Sequence, residues 1–273
     1  MGEAYLRRYL SHLGVEESRP TFGYLRELIG SHLHSFPFEN ISKLLYYVRQ
    51  GQTGFKWFPS MDTFLSRFEQ ERLGGNCYIL NIHFGTLLRL LGFRVETVRA
   101  ANGNAHLANK VDMDGRSYYV DVGYGAPLFE PLDLDEQPRF SRRGEEVEIV
   151  RLASDRFMID RRANGQSFVT KTIEWKPVAI ESFEEDITHS LRDEDDNPFM
   201  RRIVATIFKP DAAYSVINHK LLIKRDNGTE IHEFSRKQDW MDMMERTFGF
   251  RHATLEQALA FIADRGERLF LDK

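Results

Sequence analysis

The pairs Asp114-Gly115, Asn164-Gly165 and Asn227-Gly228 each stand between runs of strand-forming residues. Asx-Gly supplies the positive φ angles of a two-residue hairpin turn, so it commits its flanks to antiparallel pairing. His106 to Met113 and Arg116 to Val122 flank the first pair. Arg156 to Arg161 and Gln166 to Ile173 flank the second, with Glu145 to Leu152 just before, and Phe93 to Ala100 alternates ahead of them all. The middle third therefore reads as an antiparallel sheet or small barrel. His219 to Lys224 and Glu230 to Phe234 form the third hairpin.

Helical spacing surrounds this block. Tyr5 to Leu13 and Phe22 to Leu33 place apolar residues three and four apart, and Pro20 and Thr21 are start signals for the second run. Met61 to Phe68 follows Ser60, and Cys77 to Leu91 ends at Gly92, a helix-terminating residue. Near the end, Phe199 to Phe208, Trp240 to Phe248 and Leu255 to Arg265 read as helices. The breaker-rich run Arg192 to Pro198 marks a linker or exposed turn.

Composition narrows the function. The 273 residues suffice for a sizeable core. A net charge of -4 gives no electrostatic case for nucleic acid. No apolar run approaches the roughly 18 residues of a membrane span, and no secretory signal opens the chain. One cysteine excludes an intrachain disulfide, and the expected location is cytoplasmic. No metal site is expected: His32 and His34 lack further ligands at suitable spacing. Without a secretory signal, the sequons at Asn40 and Asn227 read as chance.

That one cysteine, Cys77, follows Gly74-Gly75-Asn76 and opens a helix. The first N–H groups of a helix lack internal partners and favour an anion, which biases a thiol there towards the nucleophilic thiolate. The same N–H groups suit an oxyanion. A small buried hydrophobe is the plain alternative. His106 lies 29 residues on, and Asp121 a further 15. Closing the Asp114-Gly115 turn brings His106 and Asp121 to one end of the sheet. The carboxylate then orients the imidazole, which faces Cys77 as base. The alternatives are a structural histidine, one of nine, and an aspartate bonded to the Gly123-Tyr124-Gly125 turn.

Several motifs occur in a familiar order. His32 to Asn40 carries His-x-x-x-x-Pro-Phe-Glu-Asn, and Gly74 to Asn81 carries Gly-Gly-x-Cys-x-x-x-Asn. Asn102 to His106 precedes the second strand, Asp114 to Gly125 carries Val-Asp-x-Gly-Tyr-Gly, and Glu130 to Leu134 follows. Together they resemble the arylamine N-acetyltransferases, specifically over residues 1–135 and loosely beyond. Two positions depart from the family pattern. Leu73 replaces the usual Arg, with Arg72 one place earlier, and Tyr124 stands where Phe is common.

The resemblance implies an α+β fold: a helical bundle over 1–92 carrying Cys77, an antiparallel β-barrel-like domain over 93–188 carrying His106 and Asp121, and a mixed α/β lid over 189–273. It implies acetyl transfer from acetyl-CoA, a co-substrate rather than a bound cofactor, through a Cys77 thioester to an arylamine, hydrazine or arylhydroxylamine. By the same analogy Asn102, Gly103 and Gly125 line the acyl-donor cleft, and Tyr124 and Phe38 contact the acceptor. Phe36 and Phe38 also suit core packing. An amide synthase of natural-product assembly, a transglutaminase-like cysteine hydrolase and a non-catalytic binding protein are the competing readings.

Overall fold

The computed structural model describes residues 2–50, 54–102 and 105–270. Five helices come first: α1 Gly2–Leu13, α2 Phe22–Ser35, α3 Ile41–Gln50, α4 Met61–Glu71 and α5 Cys77–Leu90, with a two-residue strand, β1 Phe38–Glu39, between α2 and α3. Thr21 caps α2 by accepting from the Tyr24 N–H, and Ser60 caps α4 by accepting from Thr63. Both caps satisfy donors that a helix start leaves unpaired.

Seven strands follow: β2 Arg94–Ala101, β3 His106–Met113, β4 Arg116–Val120, β5 Arg139–Arg142, β6 Glu145–Ala153, β7 Arg156–Ala163 and β8 Gln166–Val178. They form one antiparallel sheet in the order β4-β3-β2-β8-β7-β6-β5, curled into a half-barrel. The turns at Asp114-Gly115 and Asn164-Gly165 place both central residues at positive φ, as such hairpins require.

After the short helix α6 Glu184–Ser190, the strands β9 Val204–Phe208, β10 Ala213–Ile217, β11 Lys220–Arg225 and β12 Gly228–Glu233 form a second antiparallel sheet. The helices α7 Lys237–Phe248 and α8 His252–Ala263 close the chain. One expectation fails here. Residues 199–208 are not a helix; a single tight turn at Pro198–Met200 leads into β9. A short apolar run fits either element by periodicity. Pairing decides it, since β9 lies between β1 and β10 and must be extended.

Alternation of side chains across the half-barrel sorts its residues between two apolar layers. Leu107, Val111 and Val120 pack with the helices, against α5. Val98, Ala108 and Tyr119 point into the hollow of the sheet, with Phe157, Ile159 and Ile173. A third layer joins α3, the second sheet, α7 and α8 around Trp240 and Phe250.

The segment at β1 binds the first and last thirds together. Phe38 and Glu39 pair with Thr206 and Ala205. Asn40, fully buried, accepts from the Val204 N–H at 2.8 Å and donates to the carbonyls of Phe199 and Arg202 at 3.0 and 2.7 Å. Removing such a side chain strands several buried backbone groups, each at a cost of about 1–3 kcal/mol. Asn40→Ala should therefore lower unfolding free energy by about 2–4 kcal/mol in urea titrations. Asn40→Asp, which keeps the acceptor but loses both donors, should fall almost as far.

Candidate active site

Cys77 owes its place to three close backbone approaches. Gly74 passes so near Pro37 that a Cβ there would stand 2.0 Å from the Pro37 carbonyl oxygen. Gly75, at φ 151°, accepts the Glu39 N–H at 2.9 Å. Asn76 then caps α5, its side chain accepting from the Ile79 N–H at 3.1 Å. Cys77 is the first residue of the helix and is partly exposed. On the opposite side, Gly123 lies against this first turn: a Cβ would meet Cys77 Cα at 2.7 Å.

The hairpin of β3 and β4 brings His106 and Asp121 together as its turn requires. His106 Nε2 lies 2.6 Å from Asp121 Oδ2, with both residues buried. Cys77 lies close enough to the imidazole for its charge to favour the protonated ring, and the two residues line the same cavity. Burial alone lowers an imidazole pKa; here Asp121 and then Cys77 outweigh it and raise His106 to about 10. Burial likewise works to raise the Asp121 pKa, but His106 with Asn81 and Tyr119 holds it below the usual value.

Asp121 is held from four directions. Besides His106, Tyr119 Oη donates to Oδ2 at 2.7 Å, Asn81 Nδ2 to Oδ1 at 2.8 Å, and the Gly123 N–H to Oδ1 at 3.0 Å. Asn81 comes from α5, one helical turn after Cys77, and also donates to Leu107 O and accepts from the Val122 N–H. The helix that presents the thiol is thereby pinned to both strands that present its partners.

A cavity of about 340 Å³ opens onto Cys77 and His106. Phe38, Gly123, Tyr124 and Gly125 form one side, Arg161, Val169 and Lys171 of the half-barrel a second, and Phe199 with β9 and β10 a third. Arg161 clamps the turn after Asp121, donating to the carbonyls of Tyr124 and Gly125 at 2.9 Å each. Its charge is paired with Glu145, which also binds Lys224 of the second sheet.

The family model for N-acetyltransferases matches residues 21–256, nearly the whole chain. The chain belongs to the arylamine N-acetyltransferase family. It is similar to the arylamine N-acetyltransferase of Mycolicibacterium smegmatis, 26% identical over 261 residues that cover 88% of this chain and 90% of that protein. Its fold is similar to that of the Mycobacterium marinum arylamine N-acetyltransferase solved with CoA, with a TM-score of 0.80 at 20% identity, covering 95% of this chain and 98% of the other. A shorter likeness, 31% identical over 135 residues, links 45% of this chain to half of the proansamycin X synthase of Amycolatopsis mediterranei. No helix among the described residues is long and apolar enough to cross a membrane.

Within that family frame, the structure gathers some of the remaining sequence candidates and separates others. Phe38, Tyr124 and Gly125 line the cavity, whereas Phe36 is core, stacked on Phe64 and Phe68. Asn102 is not among the described residues of the cavity wall; its carbonyl accepts from Lys171, which is. Gly103 lies outside the described residues. His32 is fully buried and bonds Tyr9 rather than standing with other metal-type ligands. At the departure from the family pattern, Leu73 is packed in the third apolar layer, while Arg72 turns away over the Phe68 ring. Glu39 is fully buried, with one carboxyl oxygen unpartnered among the described residues, and burial pushes its pKa up to about 7.

Sequence alone does not mark Asn81, Tyr119 or Arg161 as site residues. Asn81 and Tyr119 do lie within the family motifs, and the two-residue spacing of Tyr119 and Asp121 puts both side chains on the same side of the strand.

Two outcomes are expected. Gly123→Ala should overpack the first turn of α5, costing about 1–3 kcal/mol of stability and slowing Cys77 alkylation; parental melting and alkylation rate contradict the close approach. The second concerns pH. His106 titrates near 6.5 when unfolded and near 10 when folded, so its stabilisation is complete below about pH 6.5 and disappears as pH rises towards 10. Unfolding free energies of the parent and His106→Gln, measured by urea titration, should therefore converge from pH 6.5 to 10.

Proposed function

We propose that the protein transfers an acetyl group from acetyl-CoA to an arylamine, hydrazine or arylhydroxylamine, with Cys77 as nucleophile, His106 as acid–base and Asp121 as its orienting anion. The observation that carries this reading is the His106–Asp121 pair, 2.6 Å apart, beside Cys77 at the wall of one cavity. Family membership supports the acetyl group, and the CoA complex of the Mycobacterium marinum relative supports the donor.

The reaction runs in two halves. The Cys77 sulfur attacks the acetyl carbonyl carbon, and the free N–H groups at the start of α5 suit the developing oxyanion. The tetrahedral adduct collapses with cleavage of the carbon–sulfur bond to CoA, whose thiolate leaves with the proton held by His106. The amine nitrogen then attacks the Cys77 thioester and gives its proton to His106, and the Cys77 sulfur departs. The acceptor ring lies between Phe38 and Tyr124, and the donor approaches past Gly125. The chain works in the cytoplasm, with no resident metal or cofactor.

A carrier-borne acyl chain in place of acetyl-CoA is the second reading, favoured by the partial likeness to proansamycin X synthase. The same thioester would then form an amide of a larger acid. Comparing acetyl-CoA with longer acyl thioesters as donors separates the two.

Mixing the protein with acetyl-CoA and no amine should add one acetyl group, mapped to the peptide holding Cys77. An unmodified protein with no CoA released, or acetyl on a lysine, refutes the thioester. Steady-state data should give parallel double-reciprocal lines; intersecting lines indicate direct transfer. Asp121→Asn should lose about 10²- to 10⁴-fold in acyl transfer. Near-parental activity per folded molecule would leave Asp121 as a turn residue only.

A further inference from the structure

Asp121 Oδ2 accepts two hydrogen bonds, from His106 at 2.6 Å and from the Tyr119 hydroxyl at 2.7 Å. The two donors are of comparable length and compete for one oxygen. Tyr119 is 1% exposed, and its backbone is fixed by two hydrogen bonds with Leu132, at 2.8 and 3.0 Å. Its ring is set in the apolar layer inside the half-barrel, near Trp175. The side chain therefore has one place to put its hydroxyl, and that place is the carboxylate. Burial and then the charge of Asp121 keep the hydroxyl protonated well above the usual range, so it donates at every working pH.

We propose that Tyr119 is a positioning residue of this site, whose hydroxyl fixes the Asp121 carboxylate and sets how much of its charge reaches the His106–Cys77 pair. This rests on the reading of Cys77, His106 and Asp121 as the reacting group and its partners. A donated hydrogen bond stabilises the ionised carboxylate. Without it the Asp121 charge lies less shielded from Cys77, and a second anion there costs more. His106 is protonated on the acid limb whether Cys77 is thiol or thiolate, so this repulsion disfavours the thiolate and moves that limb up.

The other groups around the pair are in place to be held constant. Lys43 of α3 and Lys171 of β8 both feel the charge of Cys77, and Tyr78 stands next to it on α5. Tyr124 is tilted over the His106 ring, and Arg161 lies over Tyr124. Among the described residues, the donors to the Asp121 carboxylate are His106, Tyr119, Asn81 and Gly123.

The test is the pH profile of Cys77 alkylation by iodoacetamide in Tyr119→Phe, which deletes one oxygen and keeps the ring. The acid limb should move up by about half to one pH unit, and alkylation on that limb should slow about 3- to 10-fold. Tyr118→Phe, on the opposite side of β4 and against Phe22, is the control and should keep the parental profile. A Tyr119→Phe profile that coincides with the parent, or an acid limb that moves down, overturns the proposal, whatever happens to the melting temperature. Alkylation reads Cys77 without any acyl donor. A parent that fails to take acetyl from acetyl-CoA thus refutes the transferase reading, while the alkylation profiles still decide the role of Tyr119.

Discussion

A carboxylate stripped of water must find its hydrogen bonds within the protein, and Asp121 finds four. They come from a helix, two strands and the turn that follows one of them. An ionised group buried this completely is costly unless its partners are in place. The arrangement therefore couples elements that would otherwise meet only through apolar contact. The register of β3 on β4 delivers His106, the length of the first turn of α5 delivers Asn81 beside Cys77, and Gly123 alone lets the turn approach closely enough to donate. Displacing any one of them leaves the buried carboxylate short of a hydrogen-bond donor.

Much of this was legible from sequence because the signals were local. Asp114-Gly115 fixed the hairpin and hence the meeting of His106 with Asp121. Gly74-Gly75-Asn76 marked the start of the helix at Cys77, and Ser60 and Thr21 marked two others. What was not legible depends on pairing across long stretches of chain. Residues 199–208 carry an apolar run with no periodicity of their own, and only β1 and β10, more than 160 residues apart in the first case, make the second half of it a strand. The helix α3 went unread, and so did β10, whose five residues are too few to signal by pattern.

The candidate site divides in the same way. Cys77, His106 and Asp121 lie in motifs with strong turn and cap signals, while the residues that pack around them are spread more widely. Arg161, 37 residues after Tyr124, clamps the turn carbonyls from another strand. The Leu73 position illustrates a further limit: sequence shows Leu73 and Arg72 side by side, but only packing shows where each goes. Arg72 occupies the left-handed cap of α4 at φ 59°, with its side chain over Phe68 and near Gly249, while Leu73 is core.

The strand at Phe38–Glu39 has a consequence for synthesis. Its partner, β9, ends only at Phe208, and β10 beyond it supplies part of the cavity wall. A ribosome that has delivered Cys77, His106 and Asp121 has still not delivered that wall. Contacts this distant in sequence form slowly, since the loop between them must close first. Until then the apolar surfaces of the first third stand uncovered, and such surfaces are where growing chains aggregate. The emerging protein thus holds Cys77 before it holds the far wall of the cavity that Cys77 lines.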